Sequence, residues 1–197
     1  MKKVNVIVIL LLLIGTSFSG WSQISNKESI RLAELAKRVR IIRDYWGIAH
    51  VYGKTDADAV FGMLYAQCED DFQRVEMNYI TMLGRTSEVN GEANIYEDLL
   101  VRMVIDSAES VNDYNASPDW MKKLLNAFAD GINYYLYKNP QVKPALLKEF
   151  KPWYALTYTD GSISAIQTAN LTANDIKKFY QGLSTDLATL TKKDPEQ

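Results

Sequence analysis

The sequence predicts a mainly α chain with one β-hairpin, the kind of layer that a layered α/β protein assembles with a second piece. Three observations predict it. Apolar residues recur at helical spacing through positions 57 to 83, 99 to 107 and 121 to 136. Between Val39 and Tyr52, two short runs rich in β-branched residues flank a turn at Asp44 to Gly47. The hairpin has no companion strand in the pattern, although a lone hairpin is marginally stable in water and should add to a larger sheet.

Taken in order, residues 1–22 read as a signal peptide. Lys2 and Lys3 form a positive start, Val4 to Gly15 an apolar stretch, and Gly20-Trp21-Ser22 offers small residues at the recognition positions of a cleavage site before Gln23. The apolar stretch is short for a hydrocarbon core and polar Thr16, Ser17 and Ser19 follow it, so no stable membrane anchor is expected, and a periplasmic or secreted location is. Residues 23–191 form the helical region, opened by a leading helix over 24 to 37. The hairpin occupies about 39–52. Thr55 then caps a long helix whose first turn carries Asp56 and Asp58, both suited to the positive end of the helix dipole. The cluster Glu69-Asp70-Asp71 interrupts the apolar stripe and predicts two helices or one bent helix. Gly84 and Gly91 bracket a tight exit. Asn94 to Asn115 is helical, with Leu99, Leu100, Met103, Val104 and Ser107 on one side. Ser117 caps the next helix with Pro118 at its first position. A proline-rich connection spans 140 to 153. Thr159-Asp160 can cap a short helix to about Asn170, and Thr172 or Asn174 another from Asp175. Residues 192–197 read as a flexible tail.

Without Lys2 and Lys3, 20 basic side chains face 24 acidic ones, and no basic stripe remains for nucleic acid. The single cysteine, Cys68, has no internal partner for a disulfide and falls on the apolar face of the long helix, as a small core residue does.

Residues Arg43, Asp44, Trp46, Gly47, His50, Gly62, Tyr65, Ala66, Gln67, Asp71, Gly84, Arg85, Glu88 and Gly91 form an ordered set. It resembles the opening of the penicillin acylase family of N-terminal-nucleophile amidohydrolases. The family usually has proline before the histidine, where this chain has Ala49. Pro152-Trp153 with Asp160 is similar to the family's segment leading into a pocket-forming helix. The resemblance implies the α-chain part of an αββα N-terminal-nucleophile hydrolase fold, incomplete on its own and completed by an acylase β chain. In that family the nucleophile is the new N-terminal serine of the β chain, with its own α-amino group as base. No cofactor is needed for that chemistry.

The chain has no Gly-Ser-Asn junction. In the mature region Gly161-Ser162 is the one glycine followed by Ser, Thr or Cys, and Ile163 follows it, so Ser162 reads as a first-turn helix residue. No catalytic residue is therefore assigned. His50, the sole histidine, reads as structural, bonded to a neighbouring carboxylate or carbonyl. Arg43, Asp44, Asp70, Asp71, Arg74 and Arg85 could form a buried ion-pair network fixing hairpin to helices, with structural roles for Arg43, Asp44, His50, Asp71 and Arg85. The resemblance places Thr168 and Leu171 against the substrate's acyl group. It also makes Asp175 the candidate ligand of a structural calcium shared with the β chain, in keeping with calcium's preference for hard oxygen donors. The function implied is cleavage of a linear amide in a small N-acyl substrate, releasing a carboxylic acid and an amine. Stretches such as CEDDF and YITMLGRTSEVNG lie slightly closer to the long-chain branch. The second reading is a truncated, non-catalytic homologue or binding module.

Overall fold

A computed structural model of the chain describes residues 26–157 and 170–191. The signal peptide, the helix start at Thr159-Asp160, Ser162, Thr168 and the tail lie outside the described residues. The element order opens with α1 (Asn26–Ala36), β1 (Val39–Arg43) and β2 (Ala49–Gly53). The strands pair antiparallel, from Val39↔Gly53 to Arg43↔Ala49, and form a two-stranded sheet. Gly47 has φ 80°, and its N–H donates to the Asp44 carbonyl at 3.0 Å, closing the turn predicted there. Glycine is needed at that position because the left-handed region is costly for other residues.

Helix α2 (Asp56–Met82) is the spine. Its start follows the sequence: the Thr55 side chain accepts from Asp58 N at 3.2 Å. The predicted interruption is also present, as a kink where Asp71 becomes extended (φ −160°, ψ 79°). There the Asp71 carboxylate accepts from Arg74 N at 3.0 Å and so caps the second half of the helix.

Two glycines let α2 make its close crossings. A Cβ at Gly62 would stand 2.5 and 2.6 Å from the Cγ1 atoms of Val39 and Val51, so the hairpin straddles the helix at that point. A Cβ at Gly131, on α6 (Asp119–Lys138), would lie 2.4 Å from the Phe61 carbonyl oxygen. The main core gathers Leu64, Cys68, Phe72 and Ile80 of α2, Phe128 and Ile132 of α6, and Leu147 and Phe150 of the connection. A smaller cluster of Leu32, Phe61 and Ala127 seats α1.

Two expectations shift. The helical stretch over 94 to 115 is divided into a 3-10 turn (Glu92–Asn94), α4 (Ile95–Val104) and α5 (Ser107–Ala116), following α3 (Ser87–Asn90). Ile105 is extended, and Asp106 accepts from Ala108 N at 2.7 Å as the cap of α5. An aspartate two residues before a new turn competes with the helix ladder and wins here. Met103, expected on the apolar face, is 64% exposed. At the next start, Pro118 itself stands at the cap position of α6, and Ser117 Oγ donates back to the Asp113 carbonyl at 2.7 Å. The chain closes with α7 (Tyr154–Thr157) and α8 (Ala173–Thr191), which packs on α4.

Candidate functional site

The residues singled out by sequence fall into three places. At the first, Arg43 leaves the end of β1 and reaches α2 just ahead of its kink. Its guanidinium donates to the carbonyls of Gly47 (2.9 Å) and Ala66 (3.3 Å) and pairs with Glu69 (3.2 Å) and Asp70 (2.8 Å). Glu69 and Asp70 are thus half of the joint between hairpin and helix. Asp44, at the start of the turn, accepts from Trp46 N (2.8 Å) and Ile48 N (3.0 Å) and faces His50 Nε2 at 3.1 Å. His50 first, then these two amides, hold the Asp44 carboxyl below the usual carboxylate range. The ring has the carboxylate partner anticipated for it.

Of the ion-pair network expected from the sequence, the Arg43–Asp70 pair forms and ties the hairpin to α2, but the six charges do not come together in one buried cluster. Asp71 pairs with Arg74 three residues on, and Arg85 with Glu88 (2.6 Å), each a local pair with substantial exposure. Pairing between residues three apart is geometrically easier than burying six charges together, whose desolvation is costly.

The second place is the start of α8. Asp175 accepts from the backbone N (3.0 Å) and hydroxyl (2.5 Å) of Thr172, while its own N–H donates to Thr172 Oγ1 at 3.2 Å. This reciprocal pair is a capping box. The Thr172 hydroxyl, then its amide, lower the Asp175 carboxyl below its ordinary value. Among the described residues no group of three or more His, Cys, Asp or Glu side chains could hold a metal. Leu171, just before the cap, is 41% exposed, and beside it an open groove of about 570 Å³ runs between Ile95, Tyr96, Ala173 and Lys177.

The third place is the core, which holds Cys68 with its thiol pushed up to about 12 by burial. It is protonated at neutral pH and inert as a nucleophile. The core also holds acids that pattern reading passed over. The carboxylate of Glu76, 2% exposed, accepts from the backbone N–H groups of Ala145 (2.9 Å), Leu146 and Leu147 (2.8 Å each), pinning the connection to α2. Asp98 accepts from Thr86 N and Ser87 N, each at 2.7 Å, and organises the exit after α2. Asp130 and Arg31 join α6 to α1. The signal was there: Glu76 sits between Phe72 and Ile80 on the apolar stripe, where a charge must find partners.

The sequence pattern described as penicillin amidase matches residues 38–194. The chain belongs to that family. Penicillin acylase 2 proenzyme of Pseudomonas sp. (strain SE83) is 27% identical over 134 residues, which is 65% of this chain and 17% of that protein. The acyl-homoserine lactone acylase QuiP of Pseudomonas aeruginosa is 26% identical over 160 residues, 80% of this chain and 18% of that one. This penicillin amidase chain therefore spans less than a fifth of the length of these relatives. Among solved structures, a thermostable penicillin G acylase from Alcaligenes faecalis superimposes with a TM-score of 0.58 at 20% identity, covering 80% of this chain and 85% of the solved one. That likeness establishes the shared fold: mainly helical, with one antiparallel hairpin. No described helix is long and apolar enough to cross a membrane.

Proposed function

We propose that this chain is the α-chain portion of an exported N-acyl amide hydrolase, and that its partner polypeptide carries the nucleophile. The observation that carries the reading is the family match over 38–194 on a chain that spans 17% of a penicillin acylase proenzyme. The reaction is hydrolysis of a linear amide: the partner's N-terminal hydroxyl attacks the carbonyl, the amine leaves with a proton, and water releases the carboxylic acid from the acyl-enzyme. The substrate class is a small amide with an apolar acyl group, the chemistry named for the relatives, whether an acylated β-lactam or an acyl-homoserine lactone.

On this reading the described residues contribute scaffold, not the attacking atom. Arg43, Asp44, His50, Asp71 and Arg85 hold the hairpin, the kink and the exit in shape. Thr168 and Leu171 belong to the acyl pocket, for which exposure of Leu171 ahead of a capped helix is suitable. A shared calcium would take one carboxylate from Asp175 and its remaining oxygens from the partner. Export rests on the leader over residues 1–22, whose removal a mass measurement of the mature protein would reveal.

The test is co-expression of this chain with the polypeptide encoded downstream of it, assayed for acid release from phenylacetyl amides and N-acyl-homoserine lactones. The complex is expected to turn over and the chain alone to be silent. Turnover by the chain alone, lost in Ser162→Ala, would overturn the proposal.

A further inference from the structure

We propose that the groove between the exit of α2 and the break at Ile105 binds a small carboxylate bearing an aromatic or bulky apolar group, with Arg85, Arg102 and Tyr154 holding the carboxylate. The inference goes beyond the hydrolase reading and does not depend on a partner polypeptide.

Two local interruptions make the groove. After α2 ends at Met82, a turn through Gly84 (φ 59°) sets Leu83 and Arg85 on one side. On the other, α4 stops at Val104, Ile105 is extended and α5 starts afresh from the Asp106 cap. Short α7 packs on α5 and brings Tyr154, with Trp153 ahead of it, to the same space of about 470 Å³. Leu83 and Tyr154 are each 8% exposed, and Trp153 meets Tyr154 edge-on with ring centroids 4.6 Å apart. The lining is therefore apolar and rigidly packed.

Two guanidinium groups reach this groove with donors to spare. Arg102 commits Nε to the Gly84 carbonyl at 2.9 Å, and its two terminal nitrogens have no hydrogen-bond or ion-pair partner among the described residues. Arg85 commits Nε and Nη2 to Glu88, which leaves Nη1 without a partner among the same residues. Both charges act on Glu88, so the two groups are close neighbours.

Tyr154 supplies a third donor. A buried tyrosine normally finds a partner for its hydroxyl, and this one has none among the described residues. Asp58 Oδ2 is the only fully enclosed side-chain atom among them without a partner, so the Tyr154 hydroxyl reaches the water of the groove. Burial pushes the phenol above its ordinary value, which keeps the proton on the oxygen at neutral pH. The acids nearby are already engaged, Glu88 by Arg85 and Asp106 by the Ala108 amide. Spare donors beside engaged acids favour an anion. A planar carboxylate fits guanidinium donors, and a ring beside Trp153 would leave water for the apolar lining, which a bare inorganic anion would not exploit.

The experiment is isothermal titration calorimetry of the full chain with 2-naphthoate, compared with 2-naphthamide, which lacks the charge, and acetate, which lacks the ring. 2-Naphthoate should bind with a Kd of about 1 mM or below. Both comparison compounds should bind at least about tenfold more weakly. Tyr154→Phe removes a hydroxyl that the fold does not use, so it should leave the Tm unchanged and weaken 2-naphthoate by about tenfold, the scale of a hydrogen bond to a charged group. Tyr180→Phe, exposed on α8 and outside the groove, should change neither. Equal binding of 2-naphthamide or acetate overturns the proposal, as does unaltered affinity in Tyr154→Phe or the absence of saturable binding by the wild type. None of these outcomes bears on the hydrolase reading, which stands or falls by turnover of the co-expressed complex.

Discussion

The helical core and the hairpin meet the same physical requirement in opposite ways. In the core each buried acid named above has its donors inside this chain: Glu76 has three amides, Asp98 two and Asp130 an arginine from another helix. The hairpin has its turn well satisfied through Asp44, yet leaves two strand edges open and Tyr45 and Trp46 at 93% and 81% exposure. These core acids are paired within this chain, whereas the hairpin presents large apolar side chains to solvent. The difference teaches where this chain's stability resides.

Substitutions in the two regions should therefore separate cleanly. The largest effect is expected for Glu76→Ala, which leaves three backbone donors without their acceptor, that of Leu147 buried, and should cost about 3 kcal/mol, read from the urea midpoint. Gly131→Ala comes next: its methyl group would meet the Phe61 carbonyl at 2.4 Å, and overpacking of this kind costs about 1–3 kcal/mol, visible as a lowered Tm. Thr55→Ala removes the cap of α2 and should cost about 1 kcal/mol in the same measurement.

Asp98→Asn sharpens the comparison through pH. Burial raises the Asp98 carboxyl, but hydrogen bonds from Ser87 and Thr86 outweigh it and the net shift is downward. A lowered folded value means the carboxylate stabilises the fold above its unfolded value, about 3.9, and loses that contribution as pH falls through the folded one. The wild type should weaken on acidification below about pH 4, and the variant should show a shallower decline. The smallest effect is expected for Trp46→Ser. In the isolated chain, the urea midpoint should move by no more than the equivalent of about 0.5 kcal/mol, the usual limit for an exposed site. A cost as large as that of Gly131→Ala would break the comparison, because the hairpin would then be supporting the core.

Much of this was legible from residue order. The hairpin boundaries, the Thr55 cap, the kink at the acidic cluster, the buried Cys68 and the Thr172 cap all depend on neighbours within a few positions, and they were found where expected. So was the carboxylate partner of His50. What pattern reading missed shares one cause. Glu76 meets its amides about 70 positions away and Arg31 meets Asp130 at a separation of 99, distances at which a single sequence carries no spacing signal. The expected ion-pair network formed only at Arg43 and Asp70 as a link between hairpin and helix, since Asp71 and Arg85 found partners three residues along and had no need of distant ones. The break at Ile105 was hidden because the apolar spacing runs straight across it.

The sequence by itself determined the family, the helical class with its lone hairpin, and the local caps and turns, because these are written in short-range periodicity, side-chain chemistry and an ordered set of framework residues. The tertiary structure alone decided which acids are buried with donors and how α2 threads beneath the hairpin at Gly62. Those outcomes depend on where distant segments come to rest, and close packing, which tolerates no Cβ at Gly62 or Gly131, settles that position.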